Sequence, residues 1–370
     1  MNAQTPTFNI SGQGRGISFQ DAEQVRKNMT FMSLFVLYEA LLSVVGIVGN
    51  SIIIGTIATV KTMQTLPNKF MISLASADLL VTMILQPLMM VGALKGERFI
   101  VETQGLCATI AFVCVVSCIT SSGNIMLISV NRYIRICKEK WYKSIYSKRT
   151  VTLMILAAWC HGLLWYIFLW VGWSEVTFER KQFTCFYNRH KDFSYVIVVA
   201  IVACFIPVSV NCLAYLQIFF KVRESRKRID AFRKPTTNKE IPSTTAVNKE
   251  IPKTGPSSPP AVGLSEQSTN GGSPHAATKQ AIKKDTATSN DIKLARMLFI
   301  MFTVYCMLCG PYAIMCLFDR NDELSLYWYA ILGHMFHSNS AVNFFIYGLT
   351  NNTYRNGFSL FFKNIKYRMF

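Results

Sequence analysis

The chain has 370 residues, of which 51% are hydrophobic and 16% charged, and it carries a formal net charge of +18. Its mean hydropathy is +0.29, with apolar residues bunched into long runs that would leave most of a soluble domain's surface apolar. The basic excess sits beside the ends of those runs, without zinc-finger spacing or an aromatic-interleaved basic fold, so it points to anionic membrane lipid and an acidic cytosolic partner and away from nucleic acid.

Residues 1–31 are polar and lack an apolar stretch of the kind a cleavable signal needs, so the first apolar run is expected to serve as the targeting signal. Sequons at Asn9 and Asn28 mark this segment as a candidate for glycosylation. Seven apolar runs follow, at about 32–60, 68–94, 104–137, 148–171, 193–222, 290–317 and 326–349. Each is near the roughly 20 residues that a membrane-spanning helix needs; internal polar residues weaken the pattern in the fourth and seventh. The expected fold is an all-α membrane protein, a bundle of seven transmembrane helices.

Lys and Arg collect in 61–69, 135–149, 221–234 and 353–368, whereas 95–103, 172–192 and 318–325 mix acids with bases. The positive-inside rule then puts the N-terminus outside the plasma membrane and the C-terminus in the cytoplasm. Helices 1 to 5 occupy 32–222 and helices 6 and 7 occupy 290–349. Between them, 223–289 is rich in Ser, Thr, Pro and Lys and repeats the string "NKEIP", too polar to offset its ordering entropy, and is read as a disordered cytoplasmic loop. In 350–370, Tyr354, Phe358, Phe361, Phe362 and Ile365 recur at helical spacing with Lys363, Asn364 and Lys366 between them, the pattern of a short amphipathic helix at the inner lipid interface.

Of eleven cysteines, most fall inside apolar runs, where a thiol packs as a small hydrophobe. Cys107 and Cys185 fall on the outer, oxidising side, and a disulfide between them is expected to tie the second outer loop over the bundle; two separate thiols are the alternative. Neither H-E-x-x-H nor G-x-S-x-G occurs, so neither a catalytic constellation nor a metal-ligand set is expected. A transporter would show inverted repeats and helices broken at matching places, and these are not evident.

Single residues at ordered positions carry a family resemblance: Asn50 in "GIVGNSI", Asp78 in "SLASADLL", Arg132 in "NRY", Trp159, Pro207 with Tyr215, Pro311, and Asn343 with Tyr347 in "NFFIY". In this order, one set per helix, the chain resembles the rhodopsin-like (class A) G-protein-coupled receptors, within them the opsins and melatonin receptors. The resemblance implies a heterotrimeric G protein and an arrestin-like regulator as partners. It also implies that Arg132, flanked by Asn131 and Tyr133, is held by an acid in one state and freed to meet the G protein in another. Asp291, at the start of the sixth run, is the expected partner. Pro311 lacks a backbone donor and should kink the sixth helix, and Tyr215 and Tyr347 would meet through water in the active state. Asp78, with Ser121, Asn339 and Asn343, resembles the family's sodium pocket, the one ion the sequence suggests.

The sixth helix carries Cys309 where most relatives have Trp, and "NFFIY" carries Phe344 where they have Pro. "VGWSEVTFERKQFTC" resembles opsins and places Glu179 where they place an acidic counterion. The position of the opsin retinal-binding Lys is His337, and imidazole forms no Schiff base, so covalent retinal is not expected. Leu169 and Ala203 stand where melatonin receptors place polar ligand contacts. The expected ligand pocket comprises Cys114, Cys118, Glu179, Tyr195, Val199, Cys309, Tyr312, His334 and His337. It would suit a small lipophilic or weakly polar molecule, with a noncovalent chromophore as the alternative.

Overall fold

The structure, a computed structural model, describes residues 18–233, 274–319, 321 and 323–369, with side chains over the same residues except 226, 228–233, 274–291 and 368–369. The sequon at Asn9, the acid at Asp291 as a side chain, and the "NKEIP" repeat all lie outside the described residues.

A short helix α1 (Phe19–Arg26) starts at Ser18, whose hydroxyl accepts the Asp21 amide. Asn28 then caps α2 (Met29–Thr59) by accepting the Phe31 amide at 3.2 Å, so a sequon residue also begins the first span. The second span, Leu66–Glu102, is α3 (Leu66–Leu80) and α4 (Gln86–Glu102) joined through one wide turn at Val81–Leu85. Next come α5 (Leu106–Cys137), the short α6 (Glu139–Ile145) and α7 (Lys148–Trp170). The fifth span joins α8 (Phe193–Ala200) to α9 (Ile206–Arg233) through a second wide turn at Ile201–Phe205. Both turns are of the π type, and each is followed within two residues by proline, Pro87 and Pro207. The extra residue gives the proline ring room beside the carbonyl with which it would otherwise clash.

The remaining helices are α10 (Pro274–Phe318), which holds Pro311 inside it, α11 (Leu326–Thr350) and α12 (Asn352–Met369). Thus α9 runs on to Arg233 and α10 begins at Pro274, both inside the segment expected to be a disordered loop. The first extension is rich in Arg and the second in Ala and Lys, good helix formers that continue a helix past the membrane.

Among the described residues, six helices are long and apolar enough to cross a membrane. The seventh, α11, has 25 residues and misses that apolarity because His334, His337, Ser338, Asn339, Ser340 and Asn343 lie on it, all buried. Its polarity faces the bundle, while Leu41, Val44, Val48, Leu153, Leu156 and Phe219 are exposed on the outside. That inversion is what lipid selects: apolar outward, polar groups satisfied between helices. Asn50 Nδ2 donates to the Ser340 carbonyl at 2.8 Å, Trp159 Nε1 to Ser73 at 3.1 Å, and the Tyr38 hydroxyl meets Ser338.

At the basic end, α12 turns its Tyr354 and Phe358 into the core while Phe362 and Ile365 stay open. At the other end, β1 (Val176–Glu179) and β2 (Thr184–Tyr187) form an antiparallel hairpin with Val176 opposite Tyr187 and Glu179 opposite Thr184. The Cys107–Cys185 disulfide, Cα to Cα 5.3 Å, ties the hairpin to the start of α5 as expected. Gly92 of α4 lets the hairpin come this close, for a Cβ there would lie 2.2 Å from the Phe183 carbonyl oxygen.

Candidate functional site

A cavity opens below the hairpin, walled by α5, the fifth span, α10 and α11. Its empty space, counting the solvent-open mouth, is about 710 Å³. Cys114, Cys118, Tyr195, Val199 and Tyr312, five of the residues expected from sequence, line it. Its polar groups are mostly engaged already. The Tyr195 hydroxyl donates to the Trp165 carbonyl at 3.0 Å, that of Tyr305 to Ser122 at 3.2 Å, and that of Tyr312 accepts from Gln182 Nε2 at 3.0 Å. Among the described residues, neither carboxylate nor ammonium group lines the wall.

Four expected members lie elsewhere. Glu179 sits in the hairpin, bonded to Arg189 at 3.4 Å and accepting the Lys181 amide at 3.2 Å; an arginine within reach draws the acid away from the apolar wall. His334 turns toward α2, with Nδ1 2.7 Å from Glu39 Oε1 and Nε2 3.2 Å from the Gln182 carbonyl. Cys309 points its thiol at the Phe336 carbonyl, 3.9 Å away. His337 lies behind the wall, its Nδ1 4.0 Å from Cys118 Sγ. Tyr305, Tyr187, Phe186, Phe336, Cys204 and Cys316 take their places in the lining. Only Tyr187 had a signal in the sequence, two residues past the bridging Cys185 and so on the same face of its strand. Burial holds its phenol well above the ordinary value, so the roof presents a neutral hydroxyl.

The roof is fastened on several sides. Arg189 Nη1 donates to the Tyr329 hydroxyl at 2.7 Å, and that hydroxyl donates to Asp319 at 2.7 Å. Lys181 reaches the Leu324 carbonyl at 2.6 Å, and Arg180 pairs with Glu97 at 2.8 Å. At its edge Lys191 bonds Glu175 at 2.8 Å and holds that carboxyl below its ordinary value.

Midway down the bundle, Asp78 is fully buried and accepts from Ser121 Oγ at 3.2 Å and Asn343 Nδ2 at 2.7 Å. Ser340, and not the expected Asn339, makes the further side-chain contact. At the basic end, Arg132 is buried among Tyr146, Tyr215 and Tyr354, with burial pushing the Tyr146 phenol up to about 12. Asn131 Nδ2 lies 3.4 Å from the Tyr142 hydroxyl, and Tyr133 packs half-buried beside it. Tyr215 accepts from Ser129 at 3.0 Å while Tyr347 donates to Met301 Sδ at 3.2 Å, so the two tyrosines have different partners in this conformation.

Comparison with known proteins bears on the fold and the family. The chain is 22% identical to Melanopsin-A of Gadus morhua over 325 residues, 86% of this chain and 50% of that protein. It is 29% identical to Melatonin receptor type 1B-B of Danio rerio over 188 residues, 50% of this chain and 53% of the relative. It is 26% identical to 5-hydroxytryptamine receptor 5A of Rattus norvegicus over 350 residues, 92% of each. The chain thus spans about half the length of the first curated relatives it matches. The fold superposes on squid rhodopsin with a TM-score of 0.72 at 19% identity, covering 91% of this chain and 86% of that one. The profile of the "7 transmembrane receptor (rhodopsin family)" matches residues 49–347, most of the described bundle from the second half of α2 through Tyr347 of α11, and the chain belongs to that family of multi-pass membrane receptors.

Proposed function

We propose that the protein is a G-protein-coupled receptor of the plasma membrane, its hairpin outside and its basic end in the cytoplasm, that passes a small-molecule signal to heterotrimeric G proteins. The observation that carries this reading is the cavity: apolar walls from four spans, under a roof fastened to α5 by Cys107–Cys185. Such a wall favours an uncharged, lipophilic ligand with at most a few hydrogen-bonding groups, because burying an unpaired charge there is costly. Ligand binding against α10 would bias the position of the helix that contains Pro311. Outward movement of its cytoplasmic half would uncover Arg132 for the G protein and for an arrestin-like regulator. Asp78 would hold a sodium ion; its buried carboxyl, the Ser121 hydroxyl and an Asn343 Oδ1 lacking a hydrogen-bond partner among the described residues are the hard oxygen donors such an ion takes.

The relatives named melanopsin and the squid rhodopsin fold favour one second reading, a receptor with a noncovalent chromophore. No lysine occurs in α11 to tether one covalently.

The test is cAMP and calcium output, without added ligand, from cells expressing the wild type and Asp291→Ala. Raised basal output in the variant supports coupling through a latched Arg132. A well-expressed variant that stays flat in every G-protein pathway removes the latch, and a wild type silent under ligand libraries and light alike removes the receptor reading.

A further inference from the structure

Two thiols and an imidazole meet where α5 faces α11. Cys114 and Cys118 are four residues apart, one turn on the same face of α5, and His337 approaches from α11. One donor atom from each lies within 4.8 Å of the other two, and the Cys118 Sγ to His337 Nδ1 distance is 4.0 Å. Cys114 and His337 are 1% and 4% exposed, yet both cysteines also line the cavity.

We propose that Cys114, Cys118 and His337 form a binding site for a zinc-like cation whose fourth coordination position opens into the cavity. The donor set is soft, sulfur and imidazole, which excludes magnesium and calcium and suits zinc. Tetrahedral zinc, at about 2.3 Å from sulfur and about 2.0 Å from nitrogen, would place its ligand atoms roughly 3.5 to 3.8 Å apart. The observed spacing needs to close by only about an ångström, a side-chain adjustment. Each thiol would release its proton to solvent on binding. Two thiolates and a neutral imidazole then balance the double positive charge, and an overall neutral complex is what an apolar wall tolerates. Nearby acids are otherwise occupied: Asp78 by Ser121 and Asn343, Glu39 by His334. Three protein ligands with one open position is the arrangement of zinc sites that bind a further molecule and not of closed structural ones. The site stands on these three side chains alone; that its open position receives the receptor's ligand, through a thiol, imidazole or carboxylate donor, rests on the function proposed above.

The experiment uses the metal-stripped full chain in lipid nanodiscs, its Cys107–Cys185 bridge intact, titrated with Co²⁺ and then Zn²⁺. The expected result is thiolate-to-cobalt charge-transfer absorption at one ion per chain, bleached by zinc. Cys118→Ser and His337→Ala should each weaken cobalt binding on the order of tenfold or more, while Cys160→Ser, an exposed thiol on α7, leaves it unchanged. Absent bands, or bands that both variants leave intact, overturn the proposal. If the variants do not fold, the wild type decides it: zinc should slow alkylation of Cys114 and Cys118 by a small thiol reagent, read by mass spectrometry. Equal alkylation with and without zinc overturns it. Because cobalt absorption needs no signalling, lost metal binding in a signalling receptor sinks only the metal site, and metal binding in a silent chain sinks only the receptor reading.

Discussion

Glu39 of α2 and His334 of α11 face each other at 2.7 Å, Oε1 to Nδ1, with side chains 0% and 2% exposed. The same imidazole reaches the Gln182 carbonyl of the roof at 3.2 Å, so one side chain joins the first span, the last span and the hairpin. Removing one partner from a buried pair strands the other away from water. His334→Ala should therefore lower stability by about 3 to 5 kcal/mol, measured by thermal unfolding in detergent. Glu39→Gln, which keeps the shape and a hydrogen-bonding group in place, should cost clearly less; equal losses would show that the carboxylate itself, which glutamine lacks, carries the pair.

The Cys107–Cys185 bridge closes a loop with a sequence separation of 78. Cys185→Ser should cost about 2 to 5 kcal/mol of stability. It should also release the roof, seen as faster amide exchange across 176–187 with the helices unchanged. Unaltered exchange there would mean that Arg189, Lys181 and Arg180 hold the hairpin without the bridge.

Gly92 and the Phe183 carbonyl set how deep the roof sits. A Cβ 2.2 Å from that oxygen must displace backbone, and overpacking of this kind costs about 1 to 3 kcal/mol. Gly92→Ala should lower the melting temperature and shift Phe183, which already holds a φ of 54°. A melting temperature at the wild-type value would show that the hairpin yields freely.

Asp319 links the end of α10 to the roof through Tyr329. Burial raises its carboxyl, but the Tyr329 hydroxyl and the Leu324 and Glu323 amides outweigh that and hold it below its ordinary value of 3.8. A lowered folded value means that the contribution is present above the unfolded value and is lost as pH falls through the folded one. Amide exchange near 319–329 should hence be protected at neutral pH and loosen below about pH 4. Asp319→Asn should remove that dependence, and a variant that titrates like the wild type would assign it to another acid.

Asp78→Asn should abolish stabilisation by sodium if the oxygen set around Asp78 holds the ion. With sodium at ten times its dissociation constant the wild type gains about 1.4 kcal/mol. Melting in sodium against a large organic cation measures the difference, and a sodium effect that survives in the variant places the ion elsewhere.

Much of this protein was legible in its sequence by itself. Membrane spans are long, continuous and apolar, a local property, so seven runs and the amphipathic α12 could be read directly, while their ends could not: the second span runs on to Glu102. The Cys107–Cys185 bridge was legible because both cysteines lie at one side of the bundle. The wide turns before Pro87 and Pro207 came only with the structure. Which face of α11 meets which neighbour was decided by tertiary packing, because a rotation of about 100° per residue separates adjacent positions. Packing turns His334 to Glu39 and brings His337 against Cys118. Glu179 left the pocket for the same reason: Arg189, ten residues away in a hairpin, became its neighbour only when the chain folded.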